Sequence, residues 1–478
     1  MKSKKFDVSV MLINFEGFNI IFNMYYATYP PLGLAYIASV IKPIVKNVKI
    51  IDAPPLRLSM RDILEIVKKD KPRYVGLSAY TASINATGYL AREIKHINPE
   101  VVIVLGGPHV FHEYEQTMRD FPAFDYVIRG DGEYAFKELI EAIESKKGVS
   151  EIKGLVHRKG INIIANPLRE IPKNLDDLPL PSYDLLPMKK YLAVRCLGGV
   201  DHFAAMITSR GCPFHCTYCE SSQRWNRRII YRSIKKVIEE AKLLQDKYNV
   251  KMIKFNDDHF TLNPNRVLEF CRLYHKNKLK FEWACLGRVD SLGPEVLKEM
   301  KKANCKLIFL GLEFGNDKIR EACNKKLSKK QMSNVVKWAD EVGIDTFGSF
   351  MLGYPGETLK TMKETVRQAT ILGLDWAGFC IVTPLPGTEL MKMCKEKNLL
   401  TSFNWDDYST KGITVIKHKN FTEKQLLNMY SYAQRKFYFR TGYIFRRLRK
   451  LKIGDFYLLL QFTKEYFKSR GIIKGMFR

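Results

Sequence analysis

The first 150 residues alternate short apolar runs with stretches whose apolar positions recur at helical spacing. Residues 8–13, 48–51, 74–78, 101–105 and 126–128 read as strands; 32–41, 61–69, 86–97 and 134–144 read as helices between them. The run 101–105 is almost purely aliphatic and ends in Gly106-Gly107-Pro108, as a central parallel strand buried on both faces should. This alternation predicts an α/β, flavodoxin/Rossmann-like domain whose ligand crevice lies at the carboxyl ends of its strands.

Composition shifts between Asn166 and Met188, where Pro167, Pro172, Pro179, Pro181 and Pro187 crowd together. This reads as an ordered linker. A second series follows, with strands predicted at 204–208, 252–255, 282–286, 307–312, 346–352 and 378–383. Helices fall between them at 234–248, 265–275, 293–303 and 329–342. Six such units fit a partial (β/α)6 TIM-type barrel, whose reactive end is the carboxyl edge of its strands. The expected division is 1–150 for the first domain, 151–200 connecting, 201–400 for the barrel and 401–478 for a helical basic region.

Charge sharpens the last of these. The chain of 478 residues carries a net +28, and thirteen Lys and Arg against Asp455 and Glu465 put +11 of it into residues 435–478. Phe437, Tyr438, Phe439, Tyr443 and Phe445 are interleaved with these cations, and Leu458-Leu459-Leu460 adds an apolar face. Such a segment can pack its aromatics on the barrel, lie on anionic lipid or meet RNA, in that order of preference. No run of 18 uncharged apolar residues occurs, and the basic start lacks the apolar core of a signal peptide. A cytoplasmic protein is expected, with peripheral membrane contact through the carboxyl-terminal region.

Ten cysteines are far too few for a disulfide scaffold, and none precedes Cys196. Cys271, Cys285, Cys305, Cys323, Cys380 and Cys394 stand alone and read as ordinary buried thiols. Cys212, Cys216 and Cys219 do not. They follow the first barrel strand in Thr208-Ser209-Arg210-Gly211-Cys212-Pro213-Phe214-His215-Cys216-Thr217-Tyr218-Cys219. Spacings of three and two let one loop wrap three thiolates around an iron–sulfur cube and leave one iron open. A zinc site completed by His215, or plain packing, are the rivals.

The triad in this place resembles the CxxxCxxC motif of the radical S-adenosylmethionine (SAM) superfamily. The resemblance implies a [4Fe–4S] cluster on Cys212, Cys216 and Cys219 that reductively cleaves SAM to a 5′-deoxyadenosyl radical. It also implies SAM contacts from Tyr218, from Asn256, Asp257 and Asp258 in Phe255-Asn256-Asp257-Asp258-His259-Phe260, and from Glu313 in Gly311-Leu312-Glu313-Phe314-Gly315. Arg288 is placed to pair with the SAM carboxylate, and Gly353 lies in a stretch similar to the family's adenine-side motif.

In the first domain, Tyr29-Pro30-Pro31-Leu32-Gly33, Gly106-Gly107-Pro108-His109 and Gly130-Asp131-Gly132-Glu133 all end strands or open helices. Together with the triad they resemble the cobalamin domain of B12-dependent radical SAM enzymes. Pro31, Leu32, Gly33, Gly106, Gly107, Pro108, His109, Gly130, Asp131 and Glu133 become the implied cobalamin contacts. One departure stands out. The second strand ends Asp52-Ala53-Pro54-Pro55, without the Asp-x-His-x-x-Gly signature of many B12 proteins. His109 and His112 read as surface or loop residues, so cobalamin is expected base-off with no protein histidine on cobalt.

The implied activity is methylation, or cyclisation and rearrangement, of an unactivated carbon in a lipid-like or tetrapyrrole substrate, with electrons from a flavodoxin- or ferredoxin-type donor. Two other classes were weighed. An RNA-modifying methylthiotransferase would need amino-terminal cysteines for a second cluster, which residues 1–195 do not contain. An iron–sulfur or cobalamin carrier would not need polar groups at successive barrel strand ends.

Overall fold

The computed structural model describes residues 5–15, 28–193, 196, 202–409 and 413–450. Its first sheet joins β1 (Phe6–Asn14), β2 (Val45–Asp52), β3 (Tyr74–Ser78), β4 (Val102–Gly106) and β5 (Tyr126–Ile128) in parallel, in the order β2-β1-β3-β4-β5. The order reverses between β1 and β3, which puts the crevice of a flavodoxin-like sheet at their carboxyl ends. Alternation along β1 explains why the sheet is buried on both faces. Val10 and Leu12 join one core with Tyr36 and Leu139, while Met11 and Ile13 join the other with Ile63 and Leu90.

The sheet does not stop near residue 150. β6 (Leu155–Lys159) pairs antiparallel with β5, and β7 (Asn162–Ala165) with β6, so a hairpin from the stretch expected to be connecting extends the first sheet. Its strands are short, and β7 alternates exposed with half-buried positions, so it gives little hydrophobic signal. The proline-rich stretch that follows is ordered: Tyr183, Leu186, Met188 and Tyr191 are buried in the core shared with the barrel.

The second sheet is built of β8 (Phe203–Met206), β11 (Met252–Phe255), β12 (Glu282–Gly287), β13 (Cys305–Glu313), β14 (Asp345–Leu352) and β15 (Trp376–Ile381). A two-residue antiparallel pair, β9 (Ser209–Arg210) with β10 (Ile230–Tyr231), sits just beyond β8. The six longer strands are all parallel, in the order β15-β14-β13-β12-β11-β8. β8 and β15 are its two edges, so the barrel is open on one side. Phe255, Trp283 and Phe270 interlock between strands and helices, with ring centroids 5.3 to 5.6 Å apart. Helices Ile234–Tyr248, Pro264–Lys276, Lys329–Val342 and Leu359–Ile371 begin at Ser233, Asn263, Ser328 and Thr358, whose side chains accept from the first free backbone N–H groups.

The helix Glu423–Tyr438 lays Leu426, Met429, Ala433 and Phe437 against the barrel. Tyr438 donates to the Ala377 carbonyl at 2.6 Å and Tyr443 to that of Asp375 at 2.9 Å. Three of the five aromatics interleaved with cations are therefore occupied by the barrel; Phe439 and Phe445 are exposed. The rest of the basic tail, with Leu458-Leu459-Leu460, lies outside the described residues. No helix among the described residues is long and apolar enough to cross a membrane.

Candidate active site

The cysteine loop leaves β8 under tight control. Asp257, just past β11 and fully buried, accepts from the Thr208 backbone N–H at 2.7 Å, the Thr208 hydroxyl at 2.5 Å and the Ser209 hydroxyl at 2.6 Å. These bonds fix the chain where it turns from strand into loop. Gly211 follows with φ +92°, and a Cβ there would collide with the Arg228 carbonyl and Trp225, so only glycine lets the loop close. Asp257 is thus taken up by the loop's anchorage rather than offered to SAM; its neighbours Asn256 and Asp258 flank it, half-buried and exposed.

The cysteines lie between two further stitches. Thr217 N–H donates to the Cys323 carbonyl, and its hydroxyl is 2.8 Å from that of Tyr354. All three cysteines are free, and Cys216 is buried. Burial, then the neighbouring Cys216 and Asp258 charges, push the Cys219 thiol up to about 12; Cys212 is raised by the same causes. Cys212 and Cys219, whose ionisation is opposed by burial and by the neighbouring negative charge, are suited to a cationic iron cluster. Among the described residues no three His, Cys, Asp or Glu side chains gather closely enough for a single metal ion. His215, the zinc alternative's fourth ligand, has its Nε2 2.6 Å from Glu389 Oε1 and 3.1 Å from Arg227 Nη2.

Around this loop the expected contacts divide. Arg288 donates through Nε and Nη2 to Asp290, at 3.0 and 2.7 Å, and its guanidinium lies 3.5 Å from the Phe214 ring centroid. Nη1 lies outside that carboxylate pair and is the part left to meet another carboxylate. Glu313 ends β13 with φ +62°, a conformation rare outside glycine, and pairs with Lys325 at 3.3 Å. Tyr218 is packed with Phe314 and Tyr354. The Gly353 and Tyr354 backbone N–H groups both donate to Glu357, whose carboxyl is raised to about 7 by burial.

His259 was not singled out from the sequence, although it sits in the quoted strand-two segment. It is buried, stacks on Phe214 at 5.5 Å, and has no partner for either ring nitrogen. Burial, then Arg288, hold it neutral, with its pKa down at about 4. Two orphaned buried nitrogens beside the cysteine loop are a place for a polar ligand, which fits SAM.

The carboxyl edge of the first sheet faces the same loop. Arg210, two residues before Cys212, reaches Asp131 at 2.9 Å and Glu133 at 2.6 Å. Those two expected cobalamin contacts are therefore bound to the barrel. Gly107, with φ +104°, is required because a Cβ would strike the Ala79 backbone. Leu32 is a core residue, Pro31 opens its helix, and Gly33 borders open space, while a Cβ at Gly106 or Gly130 would just touch Leu77 or Phe111. His109 and His112 are not surface residues. His109 is 1% exposed, its Nδ1 3.2 Å from the Thr81 hydroxyl and its ring edge-on to Trp405; Pro108 starts its short helix. Both histidines leave Nε2 buried and unpartnered, and burial holds both near 4. The open space at Gly33 and the unpartnered Nε2 of His109 fit a large ligand at this edge.

Comparison with known proteins agrees. Residues 206–369 match the family model of the radical SAM superfamily, and residues 19–140 that of the B12 binding domain. An uncharacterized methyltransferase of Pyrococcus horikoshii is 39% identical over 86% of this chain and 88% of its own. The chain is a B12-binding radical SAM enzyme. The family's cofactors are a [4Fe–4S] cluster, SAM and cobalamin, and radical SAM enzymes need a reductant and a small-molecule substrate. The anaerobic magnesium-protoporphyrin IX monomethyl ester cyclase of Rubrivivax gelatinosus is 26% identical over 87% of this chain and 75% of its own. The solved radical SAM methyltransferase TsrM from Kitasatospora setae, with cobalamin and [4Fe–4S] cluster bound, shares the fold of this enzyme. Its TM-score is 0.69 at 16% identity, covering 91% of this chain and 86% of that one.

Proposed function

We propose that this enzyme methylates, or closes a ring onto, an unactivated carbon of a substrate held in the barrel, with Cys212, Cys216 and Cys219 holding the cluster and residues 1–165 holding cobalamin. The observation that carries this reading is Arg210. It ties the start of the cysteine loop to Asp131 and Glu133, so one ion-pair network registers the two carboxyl edges against each other. When bound, the cluster with SAM supplies the means of taking hydrogen from an unactivated C–H bond, and cobalamin supplies a methyl donor.

The chain's own residues have positioning work. Asp257 sets the loop's origin, and Arg288, with Phe214 beneath it, presents Nη1 hydrogens to the SAM carboxylate. Asn256, Asp258, Glu313 and Lys325 surround the amino acid and ribose end; His259 offers a neutral nitrogen. Tyr218 and the Gly353 bend close the adenine side. Gly106, Pro108, His109 and Gly130 line the cobalamin edge, with the nucleotide base displaced and no histidine on cobalt. A flavodoxin- or ferredoxin-type protein delivers the electrons. The exposed Phe439 and Phe445, with the basic stretch beyond, rest on anionic membrane surfaces.

The test is the purified, cobalamin-loaded protein. Stoichiometric cobalamin and a Co(II) electron paramagnetic resonance spectrum without nitrogen splitting are expected. Splitting from a protein nitrogen would overturn the base-off part, and failure to retain cobalamin would overturn the assignment of residues 1–165. Sedimentation with anionic but not neutral liposomes is the expected membrane result.

A further inference from the structure

One lysine inside the barrel meets ring faces and a phenol where most of its charged neighbours meet a carboxylate. Lys254 lies in β11 between Ile253 and Phe255, whose side chains pack into the core on the helix side, so its own side chain enters the lumen. Its Nζ is 4.6 Å from the Tyr29 ring centroid and 4.9 Å from that of Phe309, and donates to the Tyr29 hydroxyl at 3.3 Å. Phe309 belongs to β13, two strands away, and is met across the concave face. It packs in turn on Phe347 of β14, with centroids 5.1 Å apart.

No carboxylate among the described residues pairs with Lys254. Three neighbouring buried cations have one, Arg232 with Glu240, Arg288 with Asp290 and Lys325 with Glu313, while Arg266 is held by the Thr208 and Arg232 carbonyls. Two ring faces and a phenol offset only part of the cost of taking an ammonium from water. Burial lowers Lys254 to about 8, which leaves it mostly charged at neutral pH. Apart from the Cys196 thiol, which favours the charged form, the neighbours given by strand register are apolar or small. Ala205 and Ala284 are its register partners on the two neighbouring strands, and Leu286 is paired with Phe309.

We infer that the barrel's substrate carries an anionic oxygen group, a carboxylate or a phosphate, that pairs with Lys254, and a hydrophobic body that lies against Phe309, Phe347 and Leu286. The inference rests on the reading of the barrel as the substrate chamber. It also sets a scale. Asp258, four positions beyond Lys254, is near Cys212 and Cys219. At about 3.3 Å per residue, the backbone positions of Lys254 and Asp258 are up to about 13 Å apart, which sets the length scale between the anion's partner and the cysteine loop.

The test measures binding of decanoate, decyl phosphate and decanol to the reconstituted full-length enzyme by calorimetry. The wild type should bind at least one anionic probe tenfold or more tighter than decanol, and the better of the two identifies carboxylate or phosphate. Lys254→Met should shrink that preference below threefold with decanol affinity unchanged, and Lys254→Arg should keep most of it. A measurement on the wild type alone guards against a misfolded variant. The favoured anion, and not decanol, should slow reductive methylation of Lys254 at least fivefold by mass spectrometry. Equal binding of all three probes, an unchanged preference in Lys254→Met, or no protection overturns the inference. SAM cleavage is assayed in the same preparation. Anion preference without SAM cleavage would sink the enzymatic reading alone; SAM cleavage without anion preference would sink only the role of Lys254.

Discussion

The two sheets of this enzyme turn their carboxyl ends toward each other, yet those ends are built on opposite plans. At the barrel end the charged groups are spent on one another or on the chain: Asp257 on Thr208 and Ser209, Arg288 on Asp290, Glu313 on Lys325. At the end of the first sheet, the polar groups that do not touch the barrel are left alone. His109 buries an Nε2 without a partner and Gly33 borders open space; His112, whose Nε2 is likewise unpartnered, packs on Gly387 of the barrel. The difference teaches where rigidity is needed. A cluster loop must be held in one geometry before its ligands arrive, whereas a large planar cofactor brings its own rigidity and needs a bare, shaped edge.

This contrast can be broken experimentally. The largest stability effect should come from Arg210, whose side chain joins both ends. Arg210→Met leaves the buried Glu133 and the half-buried Asp131 without their cation and should cost about 3 kcal/mol, read as a lower midpoint in urea, with cobalamin and iron content falling together. Loss of one without the other would show that the two ends are not coupled through this residue. Asp257→Ala should cost about 2–3 kcal/mol by stranding the Thr208 and Ser209 donors and should lower iron loading while cobalamin is retained. Unchanged iron would remove Asp257 from the account of the loop.

Asp52 supplies a pH test of the junction. It is wholly buried, bonded by Asn14 at 2.8 Å and Tyr191 at 2.5 Å, and burial raises its carboxyl to about 6. The unfolded value lies near 3.9, so between these values the folded state holds the proton more tightly. Its contribution is therefore favourable at low pH and is lost as pH rises from about 4 through 6, by up to about 3 kcal/mol. Asp52→Asn should flatten that slope and gain on the wild type toward neutral pH; parallel stability curves would contradict it. The smallest stability change belongs to His259→Phe. With no hydrogen bond to lose, it should shift stability by less than about 1 kcal/mol but weaken SAM binding several-fold. A large stability loss with SAM affinity intact would make His259 a structural residue.

Much of this was visible in the sequence, for a physical reason. Parallel strands buried on both faces are aliphatic over their whole length, as in β4, and their helices carry caps such as Ser328 and Thr358. The triad was legible because metal ligands on one loop must be close in sequence. The hairpin β6–β7 was not, since edge strands need no continuous apolar run. The partnering of charges was also hidden: nothing local shows that Asp131 and Glu133 face Arg210, 77 residues beyond Glu133, or that Asp257 braces Thr208. Both histidines of the first sheet read as surface residues because a four-residue helix leaves no periodicity to show that it is buried.

The most direct test of the central claim is anaerobic reconstitution with iron and sulfide, followed by reduction in the presence of SAM. The wild type should bind about four irons per chain and release 5′-deoxyadenosine, and Cys212→Ala, Cys216→Ala and Cys219→Ala should each abolish both. A chain that binds zinc instead of iron, or triad variants that still cleave SAM, would contradict it.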